Sequence, residues 1–223
     1  MSTTSGTTRP YQSAQRAAAA HETRRRILQV AETELLAAGY HNTSVASLAK
    51  AAAVSPQTIY NAVGSKAEVV KAVYDVLIAG DDERIVMSDR PEFRAVLSQR
   101  SIAATLRAYA GFTRLITSRV GALLGVLIAQ GAGGDVGLRT FLATIDRERR
   151  TGNEQVVKLI EERFGLPDGL SFDQATDQVW VLTAPELADR FVRRCGWSLD
   201  SFERWLATAL IVSFSTRRRG VTR

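Results

Sequence analysis

Residues 43–66 constrain the fold most, because signals that start and stop helices follow one another there. Within this stretch Pro56 follows Ser55, a residue type that favours the N-cap position of a helix. A proline at the first helical position costs little, since its missing N–H would have no partner there anyway. The proline therefore begins a short helix, which we expect to run from Pro56 to about Ala62.

Two further helices flank this short one. Thr43 or Ser44 can cap the preceding helix, which has to end near Ala53 because the chain then turns. Gly64 can stop the short helix, and Ser65 can cap the one that follows. The sequence thus predicts three helices in close succession, joined by tight turns.

The two short helices share an apolar face, and their alanine residues allow the helices to cross closely. This pattern is typical of a helix-turn-helix, whose second helix enters the major groove of DNA. A helical hairpin in any all-α protein is the structural alternative. The residues expected to pack the two helices are Val45, Leu48, Ala49, Val54, Ile59 and Val63.

Apolar residues at helical spacing predict another helix before this pair, from Glu22 to a stop at Gly39. Residues 1–20 carry no apolar period and are expected to form a flexible N-terminal arm. After the pair, a helix is expected from Lys66 to about Ala79. The expected DNA-binding domain is therefore residues 21–66.

The charge is distributed unevenly along the chain. The whole sequence has a net charge of +6, and residues 1–66 hold seven lysine and arginine residues against three glutamates, a net +4. A small basic part joined to a larger, nearly neutral one favours a polyanion as the partner of the first part. Arg24, Arg25 and Arg26 are a charged helix end that is also expected to approach DNA.

Composition favours a helical protein of the cytoplasm. The chain has five prolines and one cysteine, Cys195, so an internal disulfide is excluded and a reducing compartment is expected. The N-terminus lacks the apolar core of a signal peptide. The most apolar run, residues 120–131, is short for a membrane span and is interpreted as a buried helix, so no membrane partner is expected.

An enzyme is disfavoured by the residues that are missing. The chain has two histidines, His21 and His41, both in its front section. It lacks a glycine-rich phosphate loop and the spacing of metal-binding cysteine or histidine pairs. We therefore expect no catalytic residue, metal or cofactor.

Polar residues at the starts of the two short helices are candidates for DNA contact. Thr43 and Ser44 combine hydroxyls with free backbone N–H groups, which favours phosphate binding as well as capping. At the start of the second helix, Gln57 is the candidate base reader, since its amide can pair with adenine. Its neighbours Ser55, Pro56 and Thr58 are expected at the same interface.

Residues 23–75 resemble the DNA-binding domain of the TetR (tetracycline repressor) family. The resemblance rests on the Ile27, Ala31 and Leu35 stripe, on Gly39-Tyr40, on "LAKAAAVS", "TIY" and "GSK". Residues 181–210 also resemble the C-terminal end of many family members. Together these segments bracket most of the chain.

The resemblance implies further DNA contacts and shows two departures. Tyr60 matches the family's phosphate-binding tyrosine, and Lys66 matches a lysine that reaches backbone phosphate. The family usually has glycine where this chain has Ala53, and its helix usually ends Tyr-Tyr-His-Phe. Here Asn61, which can still bond to DNA, and Ala62 stand in the middle of that ending.

The rest of the chain is expected to form a second, larger helical domain over residues 67–216, followed by a basic tail at 217–223. By resemblance this domain binds a small molecule and forms a homodimer through its last two helices. Apolar stripes suggest an apolar or aromatic effector, with Phe112, Leu115, Ile116, Leu123, Leu127, Phe141, Ile145 and Trp180 as pocket residues. Candidates for the dimer interface, which could equally be internal core, are Trp180, Leu182, Trp205, Leu206, Leu210 and Phe214.

The sequence therefore predicts an all-α, homodimeric regulator of transcription that binds a double-stranded DNA operator. A repressor released from a palindromic operator by a small molecule is the favoured function. A TetR-fold activator and a sequence-tolerant DNA-binding protein are the alternatives.

Overall fold

The computed structural model describes residues 9–81, 85–131 and 133–215, with side chains from residue 14 onward. Every regular element in these ranges is helical, which confirms the all-α fold class. The chain divides into two compact units after Val76.

The first unit contains three complete helices and most of a fourth. They are α1 (Arg9–Asn42), α2 (Val45–Ala51), α3 (Pro56–Ala62) and α4 (Lys66–Ala79).

Helix α1 begins earlier than the sequence pattern indicates. Residues 9–20, expected in a flexible arm, are helical. Alanine has the highest helix propensity, and four consecutive alanines at 17–20 supply it without any apolar period. Residues 1–8 lie outside the described part of the chain. The predicted stop at Gly39 is seen as a kink, with a φ of 78°.

The core of the first unit joins α1 to both short helices. Ile27 and Ile59 have no exposed surface, and Leu48 is 1% exposed. In α4, Val70 and Val73 are also buried. The division between the units therefore falls ten residues after the boundary expected at residue 66, because the first turns of α4 belong to the front unit.

Six α-helices and a short 3-10 helix (Met87–Asp89) build the described part of the second unit. The α-helices are α5 (Pro91–Leu97), α6 (Ile102–Gly131), α7 (Val136–Phe164), α8 (Phe172–Leu182), α9 (Pro185–Ala188), which continues into a π-helical turn (Asp189–Arg194), and α10 (Leu199–Ser213). Helix α6 packs against α5, α7, α9 and α10, and α8 packs against α7 and α10.

Residues 91–131 hold two of these helices, α5 and α6. Pro91 occupies the first turn of α5, where a proline fits because its missing N–H would have no partner there. Helix α6 is 30 residues long and continues through its glycines because neighbouring helices cover it. The basic tail at 217–223 lies outside the described residues.

Helix α6 is, among the described residues, the one helix long and apolar enough to cross a bilayer. The core helix of a water-soluble protein has the same properties. In the apolar run at 120–131, Val120, Leu123, Leu124 and Leu127 are buried and the other residues are half-buried or exposed. The expected burial is therefore met on one face of the helix and not on the other.

Candidate DNA-binding surface

Helix α2 is held at its start by a reciprocal pair of serines. The Ser44 Oγ accepts a hydrogen bond from the Ser47 backbone N–H at 3.0 Å. In return the Ser47 Oγ accepts from the Ser44 N–H at 2.9 Å. This capping box satisfies two backbone donors at once and leaves Ser44 exposed at the surface.

Helix α3 starts as its sequence predicts. Ser55 is the N-cap, its Oγ accepts from the Thr58 N–H at 3.0 Å, and Pro56 stands in the first turn. All three residues are at the start of α3, as expected, although Thr58 is half-buried. Its hydroxyl lies 2.9 Å from the Ser55 hydroxyl, and a hydrogen bond between the two completes this cap.

The turn between α2 and α3 requires the left-handed conformation. Ala53 has a φ of 52°, the only positive φ of a non-glycine residue among those described. Glycine adopts such a φ without steric cost, whereas the Cβ of Ala53 is strained by it. In this turn the Val54 N–H donates to the Ala49 carbonyl at 2.9 Å, so the strained residue is fixed between two hydrogen-bonded helix ends.

One side of α3 is buried and the other is exposed. Ile59 has no exposed surface, whereas Tyr60 is 52% exposed. Gln57 and Asn61 are exposed one turn apart, and the Gln57 Nε2 donates to the Asn61 Oδ1 at 2.9 Å. The two amides thus form one polar unit, with the donor and acceptor types that read base edges in the major groove.

The first residue of α4, Lys66, places a cation in the first unit, close to the end of α1. The Lys66 Nζ lies 3.9 Å from the centroid of the buried Tyr40 ring, a cation–π contact that fixes the lysine next to the end of α1. Ser65 and Glu68 form a second capping box, in which the Ser65 N–H donates to the Glu68 carboxylate at 2.7 Å. This bond, with a second from the Ser65 hydroxyl, lowers the pKa of Glu68.

Thr43 needs correction as a DNA-contact residue. Its side chain is 2% exposed, and its hydroxyl donates to the Gly39 carbonyl at 2.8 Å. The residue satisfies a carbonyl freed by the kink in α1, and its side chain is not available to a phosphate. Of the two expected clamp residues, only Ser44 is exposed.

Arg24 has a role that the sequence does not reveal. Its Nη1 donates to the Ala62 carbonyl at 2.8 Å, at the C-terminal end of α3. The two residues are 38 positions apart, so no local pattern could pair them. Arg25, by contrast, is paired with Glu22 at 2.8 Å on the surface of α1.

The expected pocket residues all lie in the second unit, on α6, α7 and α8. Four are buried or nearly so, and the other four are half-buried. The Phe112 ring stacks on the Tyr109 ring, with centroids 6.0 Å apart. The buried four are Leu123, Leu127, Phe141 and Ile145; the half-buried four are Phe112, Leu115, Ile116 and Trp180. Their role in ligand binding stays a prediction.

Three of the six candidates for the dimer interface belong to the internal core, the alternative that their apolar spacing leaves open. Leu206 and Leu210 have no exposed surface and Phe214 is 5% exposed. These side chains pack into the core of their own unit, so none is available to a partner subunit. The other three, Trp180, Leu182 and Trp205, are half-buried. Two apolar residues that were not among the candidates are exposed on α8 and α10: Val181 is 55% exposed and Val212 is 65% exposed.

Comparison with known proteins finds a family match for the segment that contains the helix-turn-helix. Residues 27–73 match the model for bacterial regulatory proteins of the tetR family. None of the curated proteins matches the sequence.

Three solved structures show the same fold. A proposed TetR-family transcriptional regulator from Syntrophomonas wolfei has 12% identity and a TM-score of 0.72, over 90% of this chain and 99% of its own. MexZ, a repressor responsible for antibiotic resistance in Pseudomonas aeruginosa, has 22% identity and a TM-score of 0.58, over 88% and 96%. The fatty acid degradation regulator FadR from Bacillus halodurans has 14% identity and a TM-score of 0.60, over 87% and 96%.

Proposed function

We infer the function from a family membership: residues 27–73 are a TetR-family helix-turn-helix DNA-binding domain, in a chain with the fold of TetR-family transcriptional regulators. We propose that the protein is a homodimeric repressor, which a small molecule releases from a palindromic operator. The proposed effector is apolar or aromatic and binds in the second unit.

The exposed face of α3 carries this proposal. Gln57 and Asn61 present a hydrogen-bonded pair of amides, and Tyr60 presents an exposed phenol on the same short helix. We propose that Gln57 reads a base while Tyr60 and Lys66 contact phosphates. The exposed Ser44 supports the proposal that this face of the first unit meets DNA. It lies at the N-terminus of α2, where backbone N–H groups favour an anion such as a phosphate.

Selection from random-sequence DNA with the purified full-length protein tests the proposal. We expect a two-fold palindrome with half-sites about 34–36 Å apart, one turn of DNA. In Gln57→Ala, one position of each half-site should lose its preference, by about 1–3 kcal/mol. In Tyr60→Ala, binding should weaken for all sequences without a change of preference.

Gln155→Ala is the matched control, because Gln155 is an exposed glutamine on α7, outside the helix-turn-helix. It should select the same palindrome as the wild type. If no sequence is enriched at any salt concentration, the proposed repressor function is wrong.

A further inference from the structure

One amide in the core of the second unit lacks a hydrogen-bond partner. Asn153 on α7 is 1% exposed, and its Oδ1 accepts a hydrogen bond from the Tyr109 hydroxyl on α6. The Thr183 hydroxyl lies 3.5 Å from the same oxygen, but it donates at 2.8 Å to the Val179 carbonyl. Among the described residues, none accepts a hydrogen bond from the Asn153 Nδ2. Leaving a buried donor without a partner is destabilising.

Turning the amide by 180° does not remove this deficit. The Nδ2 would then donate to the Tyr109 hydroxyl, and the Oδ1 would take over the place without a partner. The hydroxyl proton of Tyr109 would also lose its acceptor. The described orientation satisfies more groups, and it leaves an N–H donor unmatched in the core.

A buried hydroxyl is also unmatched on α8, the helix that packs against α7. Thr176 on α8 is 1% exposed, and its Oγ1 has no partner among the described residues. It lies two helical turns before Thr183, on the same side of α8. The Gln178 Oε1, also on α8, has no partner either, so three of the four such atoms among the described residues lie on α7 and α8.

The surroundings of Asn153 favour an oxygen acceptor on an apolar molecule. Burial raises the pKa of Tyr109, against the opposing charge of Arg149, so the phenol stays protonated and keeps donating to the amide. Arg149, one turn before Asn153, is already paired, since it donates to the Asp146 carboxylate at 2.9 Å and to the Trp180 carbonyl at 3.1 Å, so no charge is left to require an anionic ligand. Carbon surface is close as well, since Tyr109 stacks on Phe112.

We propose that the Asn153 Nδ2 donates a hydrogen bond to a carbonyl-type oxygen of the effector, whose apolar body lies against the neighbouring aromatic rings. This inference rests on the proposed function, in which the second unit binds the effector. It adds a polar requirement to a pocket predicted from apolar side chains alone.

Matched probes test this requirement in the full-length protein. Acetophenone is compared with α-methylstyrene, and cyclohexanone with methylenecyclohexane, so that each pair exchanges C=O for C=CH₂ at nearly constant shape. The side-chain amide signals of Asn153 are followed by NMR during each titration. We expect saturable shifts with both ketones and affinities about three- to tenfold higher than those of the matched alkenes.

Three results would overturn the proposal. They are equal affinities within each pair, no saturable shift with either ketone, and a long-lived water molecule that stays on the amide when the ketone is bound. The last result would make the free donor a site for structural water alone.

Two variants separate the donor from its neighbourhood. Asn153→Leu removes the amide at similar volume, so the ratio of ketone to alkene affinity should fall to about one. Thr183→Val is the matched control, because it removes the adjacent hydroxyl and keeps the amide, and it should retain the ketone preference. Loss of the preference in both variants would count against Asn153. The wild-type titration still decides if Asn153→Leu does not fold.

Operator binding measured in parallel keeps the two proposals apart. If the protein binds a palindrome and an unrelated compound releases it, while ketones and alkenes bind equally, only the role of Asn153 is wrong. If the ketone preference is present and no DNA sequence is selected, only the repressor function is wrong.

Discussion

At the scale of single residues, the strained turn residue gives the sharpest prediction. Ala53 adopts a φ of 52°, a conformation that glycine takes without steric cost. Ala53→Gly should therefore raise the free energy of unfolding by about 0.5–1 kcal/mol, after allowing for the greater freedom of glycine in the unfolded chain. Urea unfolding followed by circular dichroism measures this change.

Ala51→Gly is the control with the opposite sign. Ala51 is exposed in the last turn of α2, where glycine should cost about 0.5–1 kcal/mol. If both variants are destabilised alike, the turn is not strained.

The capping carboxylate of α4 predicts a dependence on pH. Because hydrogen bonds from Ser65 lower the pKa of Glu68, its stabilisation is present above the ordinary pKa of glutamate and is lost as the pH falls through the lower, folded-state value. Glu68→Gln should therefore be less stable than the wild type at pH 7, and the gap should close below about pH 4. Urea unfolding at several pH values measures the gap. Glu161→Gln, on the exposed surface of α7, is the control for losing one carboxylate.

At the scale of elements, Arg24 links the short helix α3 to α1. Arg24→Met keeps the aliphatic stem and removes the hydrogen bond to the Ala62 carbonyl. We expect a loss of about 1 kcal/mol in the free energy of unfolding, since the bond is partly buried and made by a charged donor. Arg25→Met, one position along and exposed, should change it by less than about 0.5 kcal/mol. Equal losses in the two variants would contradict the role of Arg24.

The elements that could be predicted from the sequence are those fixed by local chemistry. The bounds of α3 follow from a capping serine, a proline and a glycine within ten residues, and the structure keeps them. The α2 cap at Ser44 and the α4 cap at Ser65 are equally local.

Tertiary contacts decide what sequence patterns miss. Leu206 and Leu210 follow the same apolar spacing whether they face their own core or a partner subunit, so periodicity cannot assign them. The hydrogen bond of Arg24 joins residues 38 positions apart, and the burial of Thr43 depends on the kink in α1. In each case the sequence identifies the residue type but not its environment.

At the scale of the whole molecule, the proposed homodimer has a candidate surface on α8 and α10. These two helices pack together, and each leaves a valine exposed, Val181 and Val212. Val181→Glu would bury an unpaired carboxylate in such an interface, so the dissociation constant of the dimer should rise at least about a hundredfold. Sedimentation equilibrium measures it.

Val136→Glu is the control, because Val136 is the more exposed residue at 68% and lies at the start of α7. It should leave the oligomeric state unchanged. A dimer that tolerates Val181→Glu would show that the subunits meet elsewhere.

The short length of α3 has a consequence for how much of a genome it can tell apart. Its seven residues span about 10 Å, the height of roughly three stacked base pairs. The two α3 helices of a dimer would then discriminate about six base pairs. A site with six specified base pairs recurs by chance about once in 4,000 base pairs. A chromosome of a few million base pairs would therefore contain on the order of a thousand such sites by chance. A regulator of a few genes that uses this helix must therefore gain additional sequence specificity from the bendability and groove width of the DNA between and beside the contacted base pairs.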